Sequence, residues 1–155
     1  MQRRTLIAWT WAPWAGAALA HHGWSSFDQT RPLYLEGRAD RVAWRNPHAE
    51  FDLEPLAEPS LPADLATRPV PPQVAGVDGA ALLKAARLPT RKDRRWRVEL
   101  APLTRMDAWG VPQVRDGDTL AVLGFTFNGE RGDALLRAEY LFLGGRTYGL
   151  RSAPA

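Results

Sequence analysis

The chain has 155 residues, with 20 Lys+Arg against 17 Asp+Glu, three histidines and no cysteine. That length suits one domain with an ordinary core, and the lack of cysteine excludes disulfides, thiolate metal sites, cysteine nucleophiles and a lipidated-cysteine anchor. Removing residues 1–20 would take away two arginines and no acid, leaving 18 cations against 17 acids, so the basic balance makes no case for nucleic acid, which needs a clustered excess.

Residues 1–20, MQRRTLIAWTWAPWAGAALA, carry Arg3 and Arg4 ahead of a fifteen-residue run without charge, Leu6 to Ala20. Ala18-Leu19-Ala20 is the small-x-small pattern that a signal peptidase accepts. A spanning helix needs about 20 apolar residues, so the run reads as a cleaved signal-peptide helix rather than a lasting membrane anchor. Export to the periplasm or medium is the expectation. The segment QRRTLI also meets a loose twin-arginine pattern, but paired arginines are common in Sec signals, and the Sec route is favoured over Tat.

Next comes LYLEGRADRVAWRN, whose period-two pattern (Leu33, Leu35, then Val42, Trp44) predicts a long strand with Gly37 as a bulge or bend. Asn46-Pro47 breaks it, because proline removes a ladder donor. HAEFDLEP resumes the alternation with Ala49, Phe51 and Leu53 on one face, making a hairpin with RNPH at its turn. Residues 55–94 hold seven of the 13 prolines, too many for a continuous sheet. The stretch 56–94 reads as a partly mobile surface insertion. It contains one helix, DGAALLKAARL (78–88), capped by Asp78 and stopped by Pro89. The cluster RKDRR (91–95) reads as a solvated loop.

A third strand, RRWRVELAP, turns Trp96, Val98 and Leu100 inward. TRMDAWG is a short helix with a near capping box from Thr104 to Asp107 and Gly110 just past its end. RDGDTLAVLGFTFNGE supplies a turn at 116–118 and a fourth strand. ALLRAEYLFLGGRTYGL supplies the fifth, with Leu136, Ala138, Tyr140 and Phe142 on one face and a Gly144-Gly145 turn after it. Five strands with one short helix between the third and fourth predict a mainly β, small OB-like barrel over residues 21–150; an SH3-like barrel or a sandwich is the competitor.

Four segments, AHHGWSSFD, VAWRNPHAEFDL, WRVELAPLTRMDAWGV and VRDGDTLAVLGF, together resemble the family of small exported bacterial proteins called DUF6152. The resemblance spans roughly residues 20–55 and 95–150, and the insertion departs from the compact family pattern. It implies export, a small β-barrel, and that His21, His22 and His48 belong to the family signature. It implies no activity.

The histidines raise their own chemistry. Cleavage after Ala20 would leave His21 as the first residue, with its α-amine and imidazole Nδ1 able to close a six-membered chelate on one metal ion. A further histidine makes a three-nitrogen brace. His48 in the NPH turn is the remaining histidine and His22 is adjacent. An all-nitrogen set suits copper(II) by the Irving–Williams order, with zinc or nickel second, and Asp28 or Glu50 would complete the site. The competing view is structural: a frayed terminus and a His48 that bonds to backbone or packs on Trp44. Trp24, Phe27, Trp44, Trp96, Trp109 and Tyr140 offer a stacking platform, though alternating aromatics are usually core. No phosphate loop, G-x-S-x-G elbow or nucleophile–base set is present, which argues against hydrolase chemistry. The functional expectation is an exported accessory barrel binding a divalent metal, copper foremost, for storage, delivery or sensing. The alternative is a metal-free module for a small ligand or another exported protein.

Overall fold

The computed structural model describes residues 23–155. Its elements are β1 (Leu33–Ala43), β2 (Glu50–Pro55), α1 (Gly79–Ala85), β3 (Trp96–Glu99), α2 (Leu103–Ala108), β4 (Thr119–Phe125), β5 (Leu135–Leu143) and β6 (Arg146–Gly149). β1 is long enough to pair twice, its first half with β4 and its second with β2, both antiparallel. β2 pairs with β3, β3 runs parallel to β5, and β5 returns antiparallel to β4. The ring β1-β2-β3-β5-β4 closes a five-stranded mixed barrel with α2 between β3 and β4, the predicted OB-like arrangement. No described helix is long and apolar enough to cross a membrane.

The barrel is filled by the side chains that alternation points inward. Leu35, Phe51, Leu53, Trp96, Val98, Leu100, Val122, Leu136 and Leu141 form the main core together with Met106 of α2. Burying an apolar side chain of this size stabilises the fold by about 1.5–3 kcal/mol. Gly37 sits where β1 changes partner, and a Cβ there would run into the Glu54 carbonyl. It is a point of close approach. The bulge predicted there lies instead at Arg41 and Val42, where the register with β2 shifts; Arg41 takes φ of 51° and the Val42 amide donates to Asp116 Oδ1 at 2.9 Å.

The fifth strand departs from its expected face. Pairing with β4 slips between Leu123–Tyr140 and Gly124–Ala138, leaving Glu139 as the extra residue. A bulge of one residue flips every later side chain. Leu136, Ala138 and Leu141 therefore face the barrel interior, while Tyr140 and Phe142 face the outside. Gly144 and Gly145, at φ of 58° and 76°, then turn the chain into β6, a further strand paired with β5.

The outward side chains are covered by residues 56–94, which build a second core rather than a mobile flap. Leu65, Leu83 and Ala86 close over Tyr34, Ala121, Leu123 and Tyr140. Asp78 caps α1 as expected, accepting from the Ala81 amide at 2.9 Å. The helix ends at Ala85, short of Leu88, because Arg87 leaves it to exchange backbone bonds with Pro32 and Tyr34 beside β1. α2 starts at Leu103 with Pro102 in the cap position, two residues ahead of the expected Thr104 cap. Thr104 is thus not its cap, and the exposed Leu103 amide is satisfied by Asn46 Oδ1 at 3.3 Å. Gly110 follows the helix at φ of 61°, as expected.

Candidate functional site

The turn between β1 and β2 carries His48, the only histidine among the described residues. Three contacts hold it in place. Asn46 accepts from the start of α2, the Ala49 amide donates to the Ala101 carbonyl at 3.1 Å, and the Leu100 amide donates to the Ala49 carbonyl at 2.8 Å. Trp44 packs on the main core from the same turn, as do Leu103 and Trp109 from α2 and its end. Ala49 is fully buried in the barrel, so by strand alternation its neighbours His48 and Glu50 belong to the outer side. His48 is half-buried, with Nδ1 on the covered side of the ring.

From Glu50 a row of charged residues runs across the outside of the barrel. Glu50 stands opposite Glu99 on β3, and Glu99 opposite Arg137 on β5. Arg137 Nη1 donates to Glu99 Oε2 at 2.8 Å, which lets two facing glutamates coexist. The Arg137 guanidinium also lies 5.3 Å from the ring centre of Trp24, and that of Arg151 only 3.7 Å from it. Trp24 further packs edge-on against Phe125 at 6.3 Å. The described chain therefore begins on the same outer face, two strands from the His48 turn. His21 and His22 themselves lie outside the described residues.

Beneath Trp24 lies a charge network that the sequence reading missed. Glu139, the bulged residue, is fully buried. It accepts from Arg151 Nε at 2.7 Å and Gln73 Nε2 at 3.1 Å, and Arg151 Nη2 stands 2.6 Å from its Oε2. Arg151 Nη1 reaches Gln29 Oε1 at 2.8 Å. Arg105 donates to the Leu150 carbonyl at 2.9 Å; burial, then the neighbouring Arg137, pulls its guanidinium below its ordinary pKa, partly offset by Glu139. The N-terminal segment, the insertion and the chain end are thus tied to one buried carboxylate. An unbroken alternation through 136, 138, 140 and 142 gives no sign of a buried carboxylate at 139; the bulge sets Glu139 among Gln73 and Arg151.

The other expected participants are dispersed. Asp28 Oδ1 accepts from the Thr30 amide at 3.1 Å and the Thr30 hydroxyl at 2.6 Å, a local turn. The aromatic residues do not form one platform: Trp96, Trp44 and Trp109 serve the main core, Tyr140 the second, and Phe27 and Trp24 a third with Phe125. Among the described residues no three His, Asp or Glu side chains converge as metal ligands. RKDRR is divided in role. Arg91 chelates Asp93 and donates to the Glu130 and Gly132 carbonyls, and Arg95 bonds Glu54 at 3.0 Å. A cleft of about 490 Å³ lies between β1, β6 and residues 64–69. There Arg68 is held by both Asp64 oxygens, and Tyr34, its hydroxyl pKa raised by burial and then by Glu36, donates to Glu36 at 2.9 Å.

Fold and surface together define a small closed β-barrel with a helical cover, whose outer face carries a half-buried histidine turn. Residues 11–59 match the model of DUF6152, a family of unknown function. That match shows the resemblance carried by AHHGWSSFD and VAWRNPHAEFDL. No curated protein and no solved structure matches the chain.

Proposed function

We propose that this chain is an exported accessory protein that binds a divalent metal, copper ahead of zinc or nickel, through the amine and imidazole of His21 together with His48, with His22 assisting. The supporting observation is where Trp24 sits. It is clasped by Arg137 and Arg151 on the outer face that also carries Glu50 and the His48 turn. Two strand spacings of about 4.8 Å and two residues of rise place His48 on the order of 12 Å from Arg137. Three extended residues from Trp24 back to His21 span about 10 Å before any imidazole is added. A nitrogen-rich terminus starting at His21 is long enough for that gap.

Such a site would store, deliver or sense the ion. Its imidazoles must be neutral to bind, so affinity should fall below about pH 6. Copper(II) titration of protein with an authentic His21 terminus tests the reading. The expected affinity is tighter than micromolar, weakened at least tenfold by one extra residue ahead of His21. Equal binding by the extended chain would overturn it. The second reading, a metal-free module for a small ligand or another exported protein, is favoured by the clefts beside residues 56–94.

A further inference from the structure

The basic run at 91–95 is only half accounted for by the fold. Arg91 and Arg95 are held by Asp93, Glu130, Glu54 and their neighbours. Lys92 and Arg94 are exposed and make no ion pair among the described residues. Both line a separate cleft of about 340 Å³, within the size range of small-molecule sites. Its floor is Leu35 and Trp96, members of the main barrel core. Its walls are Pro55 and Leu56 leaving β2, and Leu88 and Pro89 leaving the insertion. Leu56 is among the few large apolar side chains left exposed, at 42%.

The cleft is therefore apolar in its body and cationic at one rim, where the single lining carboxylate, Asp93, is already occupied by Arg91. Proline walls keep its shape fixed before binding, which lowers the ordering cost of a ligand. A polar or cationic ligand would leave the walls in water or face Lys92 and Arg94 with like charge. We infer that this cleft binds a small anionic amphiphile, an apolar tail along Leu56, Leu88 and the proline walls above the buried Trp96, with one negative head group between Lys92 and Arg94. The inference gives the second functional reading a ligand class and does not depend on copper.

Titration of the full chain with dodecanoate below its micelle concentration tests this, read by calorimetry and by NMR shifts of the Leu56 and Leu88 methyls and the Trp96 indole. Dodecanoate should bind with shifts confined to that cleft. Dodecanol and dodecyltrimethylammonium should bind at least fivefold more weakly. The exposed double reversal Lys92→Glu/Arg94→Glu should weaken dodecanoate about tenfold without changing Tm, and Leu56→Asp should do so independently. Dodecanol binding as tightly as dodecanoate would overturn the anion assignment while keeping a ligand-binding cleft. Shifts mapping elsewhere, an unchanged affinity in the double reversal, or no binding at millimolar concentration would overturn the site itself.

Discussion

Replacing Arg151 by methionine keeps an apolar stem but removes the guanidinium from the fully buried Glu139. Two nitrogens within 2.7 Å of one carboxylate oxygen are lost, and the Gln73 amide at 3.1 Å is the remaining side-chain donor. Breaking a buried pair from one side costs about 3–5 kcal/mol, because the surviving charge has no compensation. Loss of the cation over Trp24 adds about 0.5–1 kcal/mol. The expected destabilisation is about 4 kcal/mol, a large share of the 5–15 kcal/mol typical of a domain. At roughly 3 °C per kcal/mol for this size, Tm should fall by about 12 °C. Replacing both partners, Arg151→Met with Glu139→Met, should recover most of the loss, since an apolar pair of similar volume is often no worse than a buried ion pair. Urea unfolding followed by circular dichroism gives each corner of the cycle. A single Arg151→Met variant within 1 kcal/mol of wild type would refute the reasoning, as would a double variant no better than the single.

Further substitutions probe other parts of the account. Gly37→Ala forces a Cβ against the Glu54 backbone where β1 changes partner, and overpacking of this kind should cost about 3 kcal/mol in chemical denaturation. Leu83→Ala empties the centre of the second core and should cost about 2–4 kcal/mol; a change below 0.5 kcal/mol would show that the insertion does not hold to the barrel. Glu130 accepts from the Thr90 and Arg91 amides and pairs with Arg31 at 2.8 Å. Burial raises its pKa, but those amides and Arg31 bring it below the ordinary carboxylate value. Stability from a depressed carboxylate is present above the unfolded pKa of about 4.3 and lost as pH falls through the folded value. Glu130→Gln should therefore cost about 2 kcal/mol at pH 7 and much less near pH 3, read from Tm against pH.

Much of the barrel was legible because period two and period 3.6 are geometric. Trp96, Val98 and Leu100 read as inward and are inward, and Asp78 read as a cap and caps. What escaped was set by single residues that carry no local signal. One extra residue at Glu139 turns Tyr140 and Phe142 outward, although the written pattern continues unbroken through 136, 138, 140 and 142. Proline content in 55–94 correctly ruled out sheet but suggested mobility, whereas Leu65, Leu83 and Ala86 pack as tightly as strand residues. A charge run such as RKDRR reads as uniformly solvated until the partners of each arginine are known. The site was legible only as far as His48 and its exposed side of the turn. The network under Trp24 depends on contacts between residues more than a hundred positions apart, such as Gln29 and Arg151, and no spacing rule reaches that far.

In the proposed site one copper ion is shared between the processed terminus and the first hairpin turn. Electron paramagnetic resonance of the His21-terminated protein with one equivalent of copper(II) reads the bound nitrogens directly. The spectrum should show hyperfine structure from the amine and imidazoles, with one imidazole nitrogen missing in His48→Ala. Identical spectra for the two proteins would contradict the shared site.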